Sequence, residues 1–209
     1  MDNGNTNING EGQVLMVFTK NPKLGKVKTR LARTIGEEQA LSVYKELLRL
    51  TKSVTDPLQV TKQLWYSSFI SRNDIWPGDI YDKRLQKGRD LGKRMQHAFQ
   101  KAFDESFEKA VIIGSDCSAL TTDIIRQAFR ALDNHRVVIG PARDGGYYLL
   151  GMSEYYPEVF TNKSWSTPSV FEKTIEQLRE MDISYSLLPM LNDIDTLEDL
   201  KASKLSHEL

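Results

Sequence analysis

Several features are scarce in this sequence, and each scarcity excludes a class of protein. Cys117 is the single cysteine, so an intramolecular disulfide framework is impossible and a reducing compartment fits. Apolar runs stay well short of the roughly 20 residues that a helix needs to span a bilayer. The first residues lack the basic start and apolar stretch of a signal peptide. We therefore expect a cytoplasmic protein with no membrane span.

Net charge and the common nucleotide-binding motifs are also lacking. Lys plus Arg and Asp plus Glu number 28 each, so the chain has no charge excess to attract nucleic acid, and we expect no such partner. The Walker spacing and the G-x-G-x-x-G fingerprint are missing, which argues against a P-loop protein and a nicotinamide enzyme. The three histidines are far apart, so a zinc site is not expected.

Apolar periodicity predicts an α/β fold. Continuous apolar runs, as found in buried parallel strands, predict strands at 14–18, 63–69, 109–114, 136–140, 146–152 and 184–191. Helical spacing predicts helices at 37–55, 91–107, 121–132, 167–181 and 195–203. Such alternation is typical of a mostly parallel sheet with helices on both faces. We expect a disordered tail at 1–12, which is polar and rich in Gly and Asn, followed by a single domain at 13–209.

Ligands of such sheets bind outside the carboxyl ends of the strands, so the loops there are the candidate site. The first of these loops carries five cations within eleven residues, and they are Lys20, Lys23, Lys26, Lys28 and Arg30. Cations that converge before a helix suit phosphate binding, with Lys as a point charge and Arg as a bidentate donor. The alternative is a solvated basic loop.

The second loop, "GSDCSAL", places Asp116 directly after an apolar run. Asp116 has three possible roles, which are to cap the next helix, to make a turn, or to bind a metal ion. Cys117 beside it is interpreted as a packing residue, because no partner pattern supports covalent chemistry.

Acidic residues also follow the later strands. Asp144 lies in "GPARDGGYYLLG", where it could bind a ligand hydroxyl, a metal ion or its own loop. Asp193 and Asp195 lie at a strand-to-helix junction, where Asp195 could simply cap the last helix. Separate aspartates near a basic loop fit nucleotide-phosphate transfer with a hard divalent ion.

With these residues assembled, the chain resembles the bacterial DUF2064 group, which is glycosyltransferase-like and belongs to the nucleotide-diphospho-sugar transferase superfamily. The matching stretches are "FTKNPKLGKVKTRLA", "QKGRDLGKRMQHAF", "IIGSDCSAL", "GPARDGGYYLLG", "WSTPSVFEKT" and "LNDIDTLEDL". They occur in the order of the family and cover about 14–201. The first and fourth also resemble the phospholactate guanylyltransferases. The resemblance implies a GT-A type fold, a three-layer α/β/α sandwich.

The resemblance also implies roles for individual residues. Lys20, Lys28 and Arg30 would hold nucleotide phosphates, with Gly25 and Ser115 in the same nucleotide pocket. Asp116 takes the position of the metal-binding Asp after the central strand.

Further positions follow from the same family pattern. Asp195, in "DIDTLEDL", matches the second metal-binding Asp of the cytidylyltransferases. Asp144, Gly145, Gly146 and Trp165 would line the acceptor or sugar side. Catalysis itself would then depend on Lys28, Arg30 and Asp116.

The leading hypothesis is a transferase dependent on Mg²⁺ or Mn²⁺. It would move a nucleotidyl group from a nucleoside triphosphate to a small-molecule acceptor. The alternatives are a glycosyltransferase that uses a nucleotide-sugar and a non-catalytic nucleotide-binding module.

Overall fold

A seven-stranded sheet forms the centre of the protein. The computed structural model describes residues 10–208. The strands are β1 (Gly10–Thr19), β2 (Val60–Tyr66), β3 (Tyr81–Leu85), β4 (Lys109–Gly114), β5 (Val137–Pro141), β6 (Tyr147–Met152) and β7 (Tyr185–Leu187). Their order across the sheet is β3-β2-β1-β4-β6-β5-β7. Strand β6 runs antiparallel to β4 and β5, and the other neighbours are parallel, so the mostly parallel sheet is confirmed.

Helices cover both faces of the sheet. They are α1 (Thr29–Ile35), α2 (Glu37–Thr55), α3 (Leu91–Asp104), α4 (Thr122–Ala131), α5 (Val170–Glu180) and α6 (Leu197–Lys201). Side chains alternate along β1, so Leu15 and Val17 pack with α2 and α4, whereas Val14 and Met16 pack with α3 and α5. This produces two cores and confirms the three-layer α/β/α arrangement. Within residues 10–208, no helix has the length and apolar character needed to cross a membrane.

The structure adds a strand and an α-helix that the apolar pattern did not predict. Strand β3, "YDKRL", pairs only with β2 in the described sheet, and such edge strands are commonly charged. Helix α1 begins at Thr29, near the end of the predicted basic loop, so Arg30 is helical.

The first and last strands also differ from their predicted bounds. β1 begins at Gly10, so Gly10–Gly12 of the predicted tail belong to the strand, whereas 1–9 lie outside the described residues. β7 ends at Leu187, two residues before a proline that cannot donate to a ladder.

Loops after the strands meet at one edge of the sheet. The amide of Ile194 donates to the carbonyl of Asp116 at 3.1 Å, which joins the segment before α6 to the loop after β4. The amide of Arg143 donates to the carbonyl of Leu191 at 3.0 Å, which adds the loop between β5 and β6. Three loops that are distant in sequence are thus held side by side, as ligand sites of α/β sheets require.

The start of α4 gives a stability prediction. The Thr121 hydroxyl caps α4 by accepting from the amide of Ile124 at 3.3 Å, whereas Ser169 precedes α5 without a side-chain cap bond. We expect Thr121→Ala to lower the free energy of unfolding by about 1 kcal/mol. Ser169→Ala, the matched control, should lower it by no more than about 0.3 kcal/mol. Urea denaturation of both variants measures the difference, and equal losses would contradict the assigned cap.

Candidate active site

An ion-pair cluster occupies the edge where the loops meet. The Lys28 ammonium lies 2.8 Å from Oδ1 of Asp116 and 3.5 Å from Oδ1 of Asp195. The Arg30 guanidinium lies 2.8 Å from Oδ2 of Asp195. The Lys28 side chain is 3% exposed and that of Arg30 is 67% exposed. The cluster therefore has a buried cation, Lys28, at its base and a solvent-exposed cation, Arg30, at its rim.

The backbone of Lys28 aims its side chain into this cluster. Lys28 precedes the first turn of α1 with φ 47° and ψ 43°, a left-handed conformation that is unfavourable for a residue with a Cβ. Its carbonyl accepts the amide of Ala32 at 2.8 Å, so the helix holds the residue in place. Strained backbone of this kind is concentrated at functional sites.

Opposite charges stabilise the charged form of Lys28. Burial alone would lower the pKa of its ammonium, but the attraction and hydrogen bond of Asp116 and the attraction of Asp195 raise the pKa above its ordinary value. Lys28 therefore stays positively charged at neutral pH, as a phosphate-binding residue must.

The hydrogen bonds at the start of α6 decide whether Asp195 caps that helix. Helix α6 is capped by Thr196, whose hydroxyl accepts the amide of Asp199 at 3.2 Å while the Asp199 carboxylate accepts the amide of Thr196 at 2.8 Å. The predicted cap at Asp195 is therefore wrong by one residue. Because Thr196 satisfies the helix end, the Asp195 carboxylate is available to face Lys28 and Arg30.

A cavity of about 490 Å³ opens directly over this cluster. It is lined by eight of the residues predicted from the sequence, which are Lys20, Lys28, Arg30, Asp116, Asp144, Gly146, Trp165 and Asp195. Lys26 and Asp193 also line it. Four of the five cations of the basic loop thus share one cavity with the aspartates, whereas Lys23 lies over the Phe69 ring.

Three predicted residues are not among those that line the cavity. Gly25 has φ 68° and packs against the carboxylate of Glu37. The buried Ser115 hydroxyl contacts the Tyr44 hydroxyl at 3.3 Å. Gly145 has φ 85°, and its carbonyl accepts the amide of Phe171 at 2.9 Å. All three therefore lie outside the surface of the cavity.

Aromatic packing fixes the far wall of the cavity. The Trp165 ring stacks on Phe160 at 6.2 Å and meets the edge of Tyr147 at 6.3 Å. A Cβ on Gly92 would lie 1.9 Å from the indole nitrogen of Trp165, so α3 approaches this ring as closely as a glycine allows. Trp165 is therefore a rigid part of the wall of the cavity that the ion-pair cluster also lines.

Asp193 has a strongly altered acidity. Burial raises its pKa most, and the negative charges of Asp116, Asp144 and Asp195 add to the rise, against the opposing attraction of Lys28. The result is a pKa of about 7. Burial, with the neighbouring carboxylates adding to it, thus weakens the acidity of Asp193, and such perturbed groups are concentrated at functional sites.

The raised pKa of Asp193 predicts a pH-dependent stability. Because the folded state binds the Asp193 proton more tightly than the unfolded state, ionisation destabilises the fold progressively between about pH 4 and pH 7. Asp193→Asn removes this penalty and should raise the free energy of unfolding by roughly 2 kcal/mol at pH 8, with a smaller gain at pH 5. Urea denaturation at both pH values measures the gain, with Asp123→Asn, at an exposed position of α4, as control. An equal gain at both pH values would contradict the shift.

The donor set of the cluster fits a hard divalent cation. Asp116 and Asp195 offer carboxylate oxygens, which Mg²⁺ and Mn²⁺ prefer. A cation would also relieve the negative charge that raises the pKa of Asp193. Among the residues described, no group of three or more His, Cys, Asp and Glu side chains could hold a metal ion. Two carboxylates suit a mode in which substrate phosphates supply further ligands, as is common for Mg²⁺.

Cys117 has the properties of a packing residue. Its side chain lies within the core beneath the loop after β4. Burial and the nearby charge of Asp193 raise the pKa of its thiol to about 12. A thiol of this kind is protonated at neutral pH and is a poor nucleophile.

One residue that supports the site was not predicted to do so. Tyr44 is recognisable in the sequence only as part of the apolar stripe of α2. Its buried hydroxyl donates to the carbonyl of Lys20 at 3.0 Å and accepts the amide of Lys20 at 2.9 Å. It therefore anchors the start of the basic loop, and no local sequence signal distinguishes it from its apolar neighbours.

Comparison with known proteins connects this geometry to a family. Residues 51–167, more than half of the chain, match the family described as "Uncharacterized protein conserved in bacteria (DUF2064)". No protein with a curated description matches the chain.

Solved structures share the fold. A proposed nucleotide-diphospho-sugar transferase from Desulfovibrio desulfuricans G20 superposes with a TM-score of 0.84 at 29% identity, over 94% of this chain and 93% of that one. The inositol-1-phosphate CTP transferase from T. maritima has a TM-score of 0.58 at 14% identity, over 93% and 95%. Rv0371c from Mycobacterium tuberculosis H37Rv, solved in complex with manganese, has a TM-score of 0.56 at 11% identity, over 94% and 100%.

Proposed function

The chain belongs to the DUF2064 family, and we propose that it is a metal-dependent transferase that moves a nucleotidyl group from a nucleoside triphosphate to a small acceptor. The observation that carries this proposal is the buried Lys28 ammonium, 2.8 Å from Asp116 and 3.5 Å from Asp195, in the wall of the large cavity. A fixed cation between two carboxylates at the carboxyl edge of the sheet is suited to a phosphate chain that arrives with its own counter-ion.

The cations of the cavity would hold the triphosphate. Lys28 is positioned in advance by its left-handed backbone, so it would bind a phosphate oxygen without first losing side-chain freedom. Arg30 at the rim would bind a second phosphate through two guanidinium nitrogens, and Lys20 and Lys26 add positive charge along the same wall. These residues would favour negative charge that develops on a pyrophosphate leaving group.

The reaction would be one displacement at the α-phosphorus. A lone pair of an ionised acceptor oxygen, such as a phosphate oxygen or a hydroxyl that has lost its proton to solvent, forms the new oxygen–phosphorus bond. The bond from the α-phosphorus to the bridging oxygen breaks, and its electron pair leaves with pyrophosphate. Asp116 and Asp195 would hold the divalent ion, which when bound supplies a Lewis acid for phosphate oxygens. The acceptor would lie toward Asp144, Gly146 and Trp165, where the aromatic wall is rigid.

A second candidate is glycosyl transfer from a nucleotide-sugar. The specific support for it is the relative from Desulfovibrio desulfuricans G20, which is itself a proposed nucleotide-diphospho-sugar transferase. In that reaction the nucleoside diphosphate leaves intact and the anomeric carbon forms the new bond. The same cations would then hold a diphosphate, and Trp165 with Asp144 would face the sugar.

The products distinguish these candidates. The protein is incubated with Mn²⁺, nucleoside triphosphates and a mixture of hydroxylated and phosphorylated small molecules, and pyrophosphate release is measured. A parallel reaction with nucleotide-sugars is assayed for nucleoside diphosphate. We expect pyrophosphate release by the wild type and its loss in Asp116→Asn, with Asp123→Asn as control.

Three other results would contradict the proposal, each in a different way. Nucleoside diphosphate release instead of pyrophosphate favours the glycosyltransferase. Binding of a nucleotide that yields neither product and survives Asp116→Asn favours a non-catalytic binding module. Nucleotide binding itself is tested by the melting temperature measured with Mn²⁺ and each nucleotide, and a melting temperature that no nucleotide raises would overturn it.

A further inference from the structure

A second cavity, of about 350 Å³, lies on the α2 side of the sheet. It is formed by the loop after β1, by α2 and by the segment 67–80 that follows β2. Its floor and walls are mainly apolar, and they include Leu48, Tyr66, Phe69, Ile75 and Trp76. Among the described residues the two cavities have Lys20 alone in common, so the second cavity is a separate space rather than an extension of the candidate active site.

The segment 67–80 is held in its position at two points. At the first, the Asn21 side chain donates to the carbonyl of Phe69 at 2.9 Å and accepts the amides of Ser68 and Phe69 at 3.1 and 3.3 Å. The three bonds fix the start of the segment to the loop after β1. The wall formed by Phe69 is therefore built before any ligand arrives.

The second point is the Asp74 carboxylate. It accepts hydrogen bonds from the Tyr66 hydroxyl, from the Trp76 amide at 3.0 Å and from the Lys83 ammonium at 2.8 Å. Trp76 is thereby turned inward and buried. Asp74 is fully engaged, so its negative charge is neutralised by Lys83 and does not oppose an anion in the cavity.

The apolar surface of the second cavity is left open to solvent. Phe69 is 43% exposed and Ile75 is 37% exposed, although both line a concave space of ligand size. Open apolar walls in a preformed cavity are typical of a binding site, whereas scattered apolar residues on convex surface are ordinary.

Cations surround these apolar walls. Lys20, Lys45 and Arg49 line the second cavity, and the Lys23 ammonium lies 4.8 Å from the centre of the Phe69 ring. Asp74 is paired with Lys83, and Arg49 shares its guanidinium with Glu46, so Lys20, Lys23 and Lys45 give this rim its net positive charge. An apolar floor with a cationic rim is complementary to a molecule that has an apolar body and one acidic group.

We propose that the second cavity binds an amphiphilic small anion, with a flat apolar group on the floor and a carboxylate, sulfonate or phosphate at the rim. The apolar group contacts Phe69 and Ile75, and the acidic group pairs with Arg49 and Lys45. This site is independent of the nucleotidyl-transfer proposal, because its ligand does not require Lys28, Asp116 or Asp195.

The probe for this site is 8-anilinonaphthalene-1-sulfonate, an aromatic anion whose fluorescence rises in apolar surroundings. We expect saturable binding of one equivalent to the intact protein. Ile75→Glu places a negative charge on the cavity wall and should weaken binding about tenfold. Ile80→Glu is the matched control, because Ile80 lies on the same segment, is 46% exposed and is not among the lining residues.

The role of the rim charge is tested separately. Arg49→Gln should weaken binding of the sulfonate about threefold and leave binding of uncharged N-phenyl-1-naphthylamine unchanged. Arg126→Gln is its control, since Arg126 and Arg49 each pair with an acidic residue three positions earlier on an exposed helix face. Equal effects on both probes would overturn the assigned role of the rim.

Two results would overturn the site as a whole. Sulfonate binding that is equally strong in the wild type, Ile75→Glu and Ile80→Glu would place the probe elsewhere. Displacement of the probe by saturating nucleotide, together with unchanged binding by Ile75→Glu, would place it in the candidate active site.

Discussion

Lys28→Met is expected to weaken nucleotide binding on the order of 50-fold, whether or not a divalent ion is present. The ammonium is buried and held by a left-handed backbone, so no neighbouring cation can replace it. Loss of one hydrogen bond between charged groups costs about 1.5–3 kcal/mol, which corresponds to this loss of affinity. Methionine retains most of the length and apolar contacts of lysine, so the change isolates the charge. Isothermal titration with a nucleotide measures it.

Two further variants serve as references for Lys28→Met. Arg30→Gln should weaken binding about fivefold, because the Arg30 side chain is largely solvated and screened. Lys101→Met, at an exposed lysine paired with Asp104 on α3, should leave binding unchanged. Nucleotide affinity of Lys28→Met equal to that of Lys101→Met would exclude Lys28 from phosphate binding.

Gly145→Ala is expected to have the largest effect on stability, lowering the free energy of unfolding by about 3 kcal/mol. Gly145 has φ 85°, which costs a residue with a Cβ about 1 kcal/mol or more. In addition, the new Cβ would lie 2.0 Å from the carbonyl oxygen of Pro168, a backbone atom that cannot rotate away. Relief of this clash must move the segment that carries Trp165 away from the loop after β5.

Gly36→Ala separates the two causes. Gly36 has nearly the same φ, 88°, but a Cβ there would meet no atom within 4 Å. With φ 88° and ψ 157°, Gly36 lies in a region that is essentially restricted to glycine, so we expect Gly36→Ala to lose about 1–2 kcal/mol through its backbone alone. The excess loss in Gly145→Ala then reports the clash. Equal urea midpoints for the two variants would mean that the backbone at Pro168 moves away from the new Cβ without loss of stability.

The elements of the sheet were predictable where burial alone determines the sequence. Strand β4, Lys109–Gly114, was predicted with its observed bounds because it is buried between two neighbours and reads as one apolar run. Strand β3 was not predicted because it is an edge strand whose charged side chains make tertiary ion pairs, such as Arg84 with Glu105. The apolar periodicity of a segment contains no information about ion-pair partners that are distant in sequence.

The loops that form the site were predictable from the sequence, but the contacts between their side chains were not. The strand ends located Lys28, Asp116 and Asp144 in one region, because parallel strands bring their carboxyl ends to one edge. The role of Asp195 was ambiguous, because only the structure shows that Thr196 caps α6. The acidity of Asp193 depends on the charges of three separate loops, so no single stretch of sequence could reveal it.

The proposed role of Asp116 and Asp195 is to hold a divalent ion whose remaining ligands come from a bound nucleotide. Its most direct test is isothermal titration of nucleotide in Mn²⁺ and in EDTA, for the wild type, Asp116→Asn, Asp195→Asn and the control Asp123→Asn. We predict that Mn²⁺ strengthens nucleotide binding about 30-fold or more in the wild type and in Asp123→Asn, and by less than about threefold in the other two variants. An equal effect of Mn²⁺ on all four proteins would contradict the claim.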